Sequence, residues 1–123
     1  MITDSFNAET GIVMAVLSGK VTMDDFIEWS HILTPARFPV RKLKVIINGT
    51  TAKYPHPPFE LQKMDKTIAD LCSRFELVKL VRVQTKPNET AISKLVYYRK
   101  CPLNYSTRIF VSEINAIEWL LET

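Results

Sequence analysis

At 123 residues, the chain has room for one compact domain with its own core and too little for two. A hydrophobic fraction of 46% and a charged fraction of 24% are those of an ordinary globular protein and exclude a disordered or low-complexity chain. The net charge of +3 is too small to imply a nucleic-acid partner. The longest apolar run, Ile12 to Leu17, falls far short of the roughly 20 residues of a membrane-spanning helix, so no integral membrane segment is expected. Two cysteines cannot build a disulfide framework. Met1-Ile2-Thr3-Asp4 has neither the basic start nor the apolar stretch of a signal peptide, and the expected location is cytoplasmic, with reduced thiols.

In chain order, Ile2 to Phe6 reads as a short edge strand, and Asn7 to Gly11 supplies turn residues. Ile12 to Leu17 is continuously apolar, which predicts a strand buried on both faces, hairpin-paired with the first. Gly19-Lys20 ends it. Thr22 with Asp25 three residues later resembles a capping box and opens a helix from Met23 to Leu33, with Phe26, Trp29, Ser30 and Leu33 on one stripe and Asp24, Asp25 and Glu28 in its early turns. Thr34-Pro35 stops the helix, and a basic connection from Arg37 to Arg41 enters the second buried strand, Lys44 to Asn48.

Asn48-Gly49 then begins a polar loop through Thr50, Thr51, Lys53 and Tyr54 to Pro55-His56-Pro57-Pro58. No strand follows that could make it a hairpin. Phe59, Leu61, Met64, Ile68, Leu71, Cys72 and Phe75 recur at helical spacing, which predicts a helix from Phe59 to Ser73. Leu77 to Val83 is a strand, Thr90 to Lys100 a further helix stopped at Cys101-Pro102, and Ser106 to Val111 the last strand. Ser112 is placed to cap a closing helix from Glu113 to Leu121.

The order β-β-α-β-α-β-α-β-α predicts a single α/β domain spanning residues 1–123. Its sheet has four or five strands, mostly parallel, with right-handed crossovers, an initial antiparallel hairpin and about four helices. The two buried strands, Ile12 to Leu17 and Lys44 to Asn48, should be parallel neighbours at its centre.

Phe110-Val111-Ser112-Glu113 with Ala116 and Trp119-Leu120 resembles the closing segment of small SpoIIAA-like proteins of the STAS group. The opening strand, turn and strand ending in Gly19, followed by Val21-Thr22, is similar as well, and Lys44 to Asn48 sits where that family places its central strand. The resemblance implies a binding or regulatory module rather than an enzyme. Anti-sigma-factor antagonists of the group carry a phosphorylatable serine after the central strand, typically as Asp-Ser. Here Asn48-Gly49-Thr50-Thr51 and a proline-rich insertion stand in that place, with Thr50 and Thr51 as the nearest hydroxyls. The likeness of such domains to lipid-binding Sec14-type domains makes a carrier of a lipid or other apolar small molecule the alternative.

The residues themselves carry little catalytic chemistry. Glu28 and His31 form one Glu-x-x-His unit, where di-metal bundles need two with further ligands; no metal site is expected. Cys72 lies on an apolar stripe and reads as core, and no motif pairs Cys101 with an activating histidine. Three glycines make neither a phosphate-binding nor a dinucleotide motif, and no cofactor is expected. Arg37, Arg41, Lys42 and Lys44 form a basic set that reads chiefly as a solvated strand entrance.

The candidate binding residues are therefore Asn48, Thr50, Thr51, Tyr54 and His56, in the longest connection of the chain, beyond the carboxyl ends of parallel strands where ligands bind in open α/β sheets. The prolines stiffen that loop, and Tyr54 and His56 add an aromatic face and a titratable donor. Expected partners are another protein, or a small apolar or anionic ligand. A homodimer is also expected: the mean hydropathy is zero, and the last helix is apolar on two sides, with Ile117, Leu120 and Leu121 on one and Ile114 and Trp119 on the other.

Overall fold

The computed structural model describes residues 1–53, 61–84 and 102–122, leaving aside the side chains of residues 51–53 and 61. Five strands, β1 (Ile2–Asn7), β2 (Ile12–Lys20), β3 (Lys42–Lys53), β4 (Leu77–Val83) and β5 (Tyr105–Phe110), lie in the order β1-β2-β3-β4-β5. β1 pairs antiparallel with β2, and every other pairing is parallel. The two apolar strands are parallel neighbours, with Val13 opposite Val45 and Ala15 opposite Ile47, as the single helix between them predicts. The described helices are three: α1 (Met23–His31), α2 (Leu61–Cys72) and α3 (Glu113–Leu121). The helix predicted over Thr90 to Lys100 lies outside the described residues.

The hairpin turns where the sequence demands it. The Asn7 side-chain oxygen accepts from the amides of Glu9 and Thr10, the Gly11 amide donates to the Asn7 carbonyl at 2.8 Å, and Gly11 takes φ = +72°, a conformation cheap only for glycine. α1 starts with both halves of its capping box formed: the Thr22 hydroxyl accepts from the Asp25 amide at 3.1 Å, and the Asp25 carboxylate accepts from the Thr22 amide at 2.9 Å. The bond from the Thr22 amide, with the Thr22 side chain adding to it, holds the Asp25 carboxyl below its ordinary pKa. The helix ends at His31, two residues before the expected limit, yet Leu33 still buries beside Phe26, Trp29 and Ser30.

Strand alternation sorts the core into two layers. Val13, Ala15, Leu17, Leu43, Val45, Ile47, Val78 and Leu80 point to one face, where Phe26 and Trp29 of α1 and Met64, Ile68 and Leu71 of α2 cover them. Ile12, Ile46, Val81 and Val83 point to the other, under Ala116 and Leu120 of α3. β3 is thus buried on both faces, as expected.

β2 is not. Met14 is half-buried and Val16 is 42% exposed, because α3 packs over β3, β4 and β5 and leaves the outer residues of β2 at its flank. A second correction concerns the end of β3. The strand runs on through Lys53, so Asn48, Gly49, Thr50 and Thr51 belong to the sheet and not to a loop. Pairing with β2 resumes after a register shift between Val16 and Ser18, with Ser18 opposite Thr51 and Lys20 opposite Lys53. The extra residue lies on β3, where Gly49 and Thr50 stand against Leu17.

One polar contact locks the edge strand to the helical layer. The Asp4 carboxylate, 6% exposed, accepts from Trp29 Nε1 at 2.9 Å and from both terminal nitrogens of Arg37, at 2.9 and 2.6 Å. The Arg37 fork, with help from Trp29, holds the Asp4 carboxyl below its ordinary 3.8 despite burial, which pushes the other way. Its stabilisation is therefore complete above that ordinary value and is lost as pH falls through the lowered folded value. Asp4→Asn should cost about 2 kcal/mol at neutral pH, since Arg37 is partly solvent-screened and Trp29 keeps an acceptor. In urea titrations the deficit should close as the buffer is taken below the ordinary carboxylate range; a deficit that persists there would contradict this account.

Candidate functional site

The parallel strands carry their carboxyl ends to one edge of the sheet, and the two faces of that edge present different chemistry. On the α3 face, Asn48 is half-buried in β3, in register with Val16 on one side and Val83 on the other. Its side-chain oxygen accepts from the Thr50 amide at 3.1 Å and the Thr50 hydroxyl at 2.8 Å, while its side-chain nitrogen donates to the Glu113 carboxylate at 3.4 Å. These bonds bring Asn48 and Thr50 together at the register shift, where β3 has one residue more than β2. Ser112 occupies the N-cap position of α3 without a capping side-chain bond. Glu113, in the first turn, faces Asn48 instead.

Of the five candidate binding residues, Asn48 and Thr50 are thus brought together. Thr51 pairs by backbone with Ser18, its side chain is not among those described, and Tyr54 and His56 lie outside the described residues. Sequence reasoning missed Glu113, which is 65 positions from Asn48. Around this contact stand exposed apolar side chains: Val16, which is beside Asn48 in register, Val111, and Ile114 at 70% exposure. Of the residues expected to make α3 apolar on two sides, Leu120 is buried, Ile117 and Trp119 are half-buried, and Ile114 and Leu121 are exposed.

On the helix-bearing face of the same edge lie Arg82 and Gln84, both buried. A strand with charges at Lys79 and Arg82, three apart, must send them to opposite faces; that spacing was the available signal, and the apolar run around them concealed it.

The amino ends of the strands gather the basic residues differently from their order in the chain. Arg37 leaves the set to pair with Asp4. Lys44 lies directly opposite Lys79 in β4, and burial first, then Lys79 and Lys42, push its amine below the ordinary 10.5. Lys79 donates to the Glu122 carbonyl at the end of α3 at 2.7 Å and stands 4.9 Å from the Trp119 ring centre, with the Arg108 guanidinium 5.8 Å from the same ring.

Among the described residues no group of three or more histidine, cysteine or carboxylate side chains could hold a metal ion. His31 instead lines a cleft of about 310 Å³ between α1 and α2, with Ser30, Lys66, Thr67 and Asp70. Cys72 is buried in the core, and Cys101 lies outside the described residues. No described helix is long and apolar enough to cross a membrane.

No protein-family model and no curated protein sequence matches the chain. Solved structures do. The anti-sigma factor antagonist SpoIIAA, in its unphosphorylated form, superposes with a TM-score of 0.57 at 11% identity, over 100% of both chains. An uncharacterized DUF3478-family protein with a SpoIIAA-like fold from Shewanella loihica superposes with a TM-score of 0.64 at 12% identity, over 98% of this chain and 92% of that one. The chain has a SpoIIAA-like, STAS-like fold. The order of strands, the antiparallel opening pair and the closing helix of a SpoIIAA-like domain all follow, as the closing segment suggested; three helices are described where about four were expected.

Two measurements probe this geometry. Lys79→Met should lift the Lys44 pKa only part of the way to its ordinary value in an NMR titration of lysine side chains, because burial is the larger cause and stays. Full recovery would instead make repulsion from Lys79 the main cause of the lowered value. Asn48→Ala should cost about 1 kcal/mol in denaturant unfolding and speed amide exchange in the first turn of α3, since it unties Thr50 and Glu113 together.

Proposed function

We propose that this chain is a non-catalytic binding domain of a regulatory kind, engaging another protein at the carboxyl edge of its sheet on the α3 face. The observation that carries the reading is the Asn48–Glu113 contact set among exposed Val16, Val111 and Ile114. A polar hydrogen-bonding centre amid uncovered apolar side chains suits a protein partner, since such groups gain from burial while the polar pair fixes orientation. The fold adds support: SpoIIAA, which shares it, is an anti-sigma factor antagonist. In this reading Thr50, Thr51, Tyr54 and His56 are further contact residues for the partner, and a second copy of the chain is one such partner.

Photo-crosslinking tests the proposal. A benzophenone side chain placed at Ile114 should capture one defined protein, the chain itself or another, and Val16→Lys should abolish that capture while leaving the unfolding free energy within about 0.5 kcal/mol of the parent. The same probe at Leu103, exposed at the amino end of β5, should capture nothing defined. Equal capture from both positions, or capture indifferent to Val16→Lys, would remove this face as the binding surface.

A further inference from the structure

Arg82 is the penultimate residue of β4 and is 5% exposed. It lies in register between Ile47 of β3 and Ile109 of β5, on the face that α1 and α2 cover. Its guanidinium carbon stands 5.7 Å from the ring centre of Phe26, in α1. Among the described residues no carboxylate, carbonyl or hydroxyl accepts a hydrogen bond from it. Asp25, next to Phe26 in the chain, has its carboxylate engaged by the Thr22 amide.

Other described polar side chains have protein partners. Buried Ser30 donates to the Ile27 carbonyl, half-buried Arg74 donates to the carbonyls of Ser30 and Leu33, and Arg37 holds Asp4. A guanidinium held in a residue 5% exposed, with no carboxylate beside it among the described residues, is unfavourable. A ring face offsets only part of that cost. The remaining donors form a planar fork whose natural complement is an oxyanion. The position agrees, because the carboxyl ends of parallel strands are where open α/β sheets receive ligands.

We propose that Arg82 anchors a binding site for a small oxyanion, the carboxylate or phosphate group of a ligand, on the helix-bearing face of the carboxyl edge. This goes beyond the protein-binding surface proposed above and is independent of it: Arg82 and Ile114 lie on opposite faces of the sheet, so either can fail without the other.

The test is a titration of arginine-¹⁵N-labelled protein with inorganic phosphate and, separately, acetate, at ionic strength matched with chloride. The Arg82 Nε–Hε resonance, assigned by its loss in Arg82→Gln, should shift saturably with at least one of the two anions, and which one does so separates a phosphate from a carboxylate ligand. The same anion should raise the melting temperature of the wild-type protein, and Arg82→Gln should bind it about ten- to a hundredfold more weakly. If Arg82→Gln does not fold, Arg82→Lys serves for assignment and the wild-type titration still decides. A resonance that neither anion moves overturns the proposal. So does one that shifts instead on Glu60→Gln or Glu89→Gln, the two glutamates outside the described residues, since the counter-charge would then be a carboxylate of the chain itself.

Discussion

A parallel crossover that steps one strand along the sheet, always in the same direction and always right-handed, can put its helix on only one face. The strand order here is sequential from β1 to β5, and the rest of the molecule follows from that constraint. α1 and α2 share one face, where their aromatic and aliphatic stripes meet the alternating residues of β2, β3 and β4. The opposite face receives only α3 among the described helices, and one helix of nine residues is too narrow for five strands. It lies over β3 to β5 and leaves Met14 and Val16 of β2 at its flank. Among the described helices, the division of two on one face and one on the other is thus a product of topology before any side chain is chosen.

Much of this fold was legible because the relevant signals are local. The Thr22–Asp25 box, the helical spacing of Met64, Ile68 and Leu71, and the apolar strands at Val13 and Val45 each fix their own element within a few residues. What misled was also local. Asn48-Gly49 has turn chemistry, but here the asparagine side chain folds back on Thr50 while its backbone stays in the sheet, and the parallel partner β2 draws the strand on to Lys53. Likewise, the unbroken run Ile12 to Leu17 predicts two buried faces, yet the width of a helix on the far side decides whether Val16 is covered.

The candidate site was harder to read, because its contacts join distant parts of the chain. Asn48 finds Glu113 across 65 positions, and the basic residues regroup: Arg37 departs to Asp4 while Lys79 and Arg108 arrive from β4 and β5 beside Trp119. Neither arrangement has a sequence spacing that could announce it. The resemblance of the closing segment to SpoIIAA-like proteins supplied the architecture and placed Glu113 at the start of α3, but a likeness at 11–12% identity carries the fold and not the partner.

The contact between Asp4 and Arg37 has a further bearing on how molecules of this kind meet. β1 is an edge strand, and its outer backbone groups are a ready template for another strand. Its register is guarded by a charge that points inward: a slip of one residue would send Asp4 to solvent and turn its neighbours Thr3 and Ser5 toward Trp29. An edge so pinned resists the sliding and re-pairing by which exposed strands recruit copies of themselves. A partner taken on the α3 face, as proposed above, would leave this edge and the sheet itself intact.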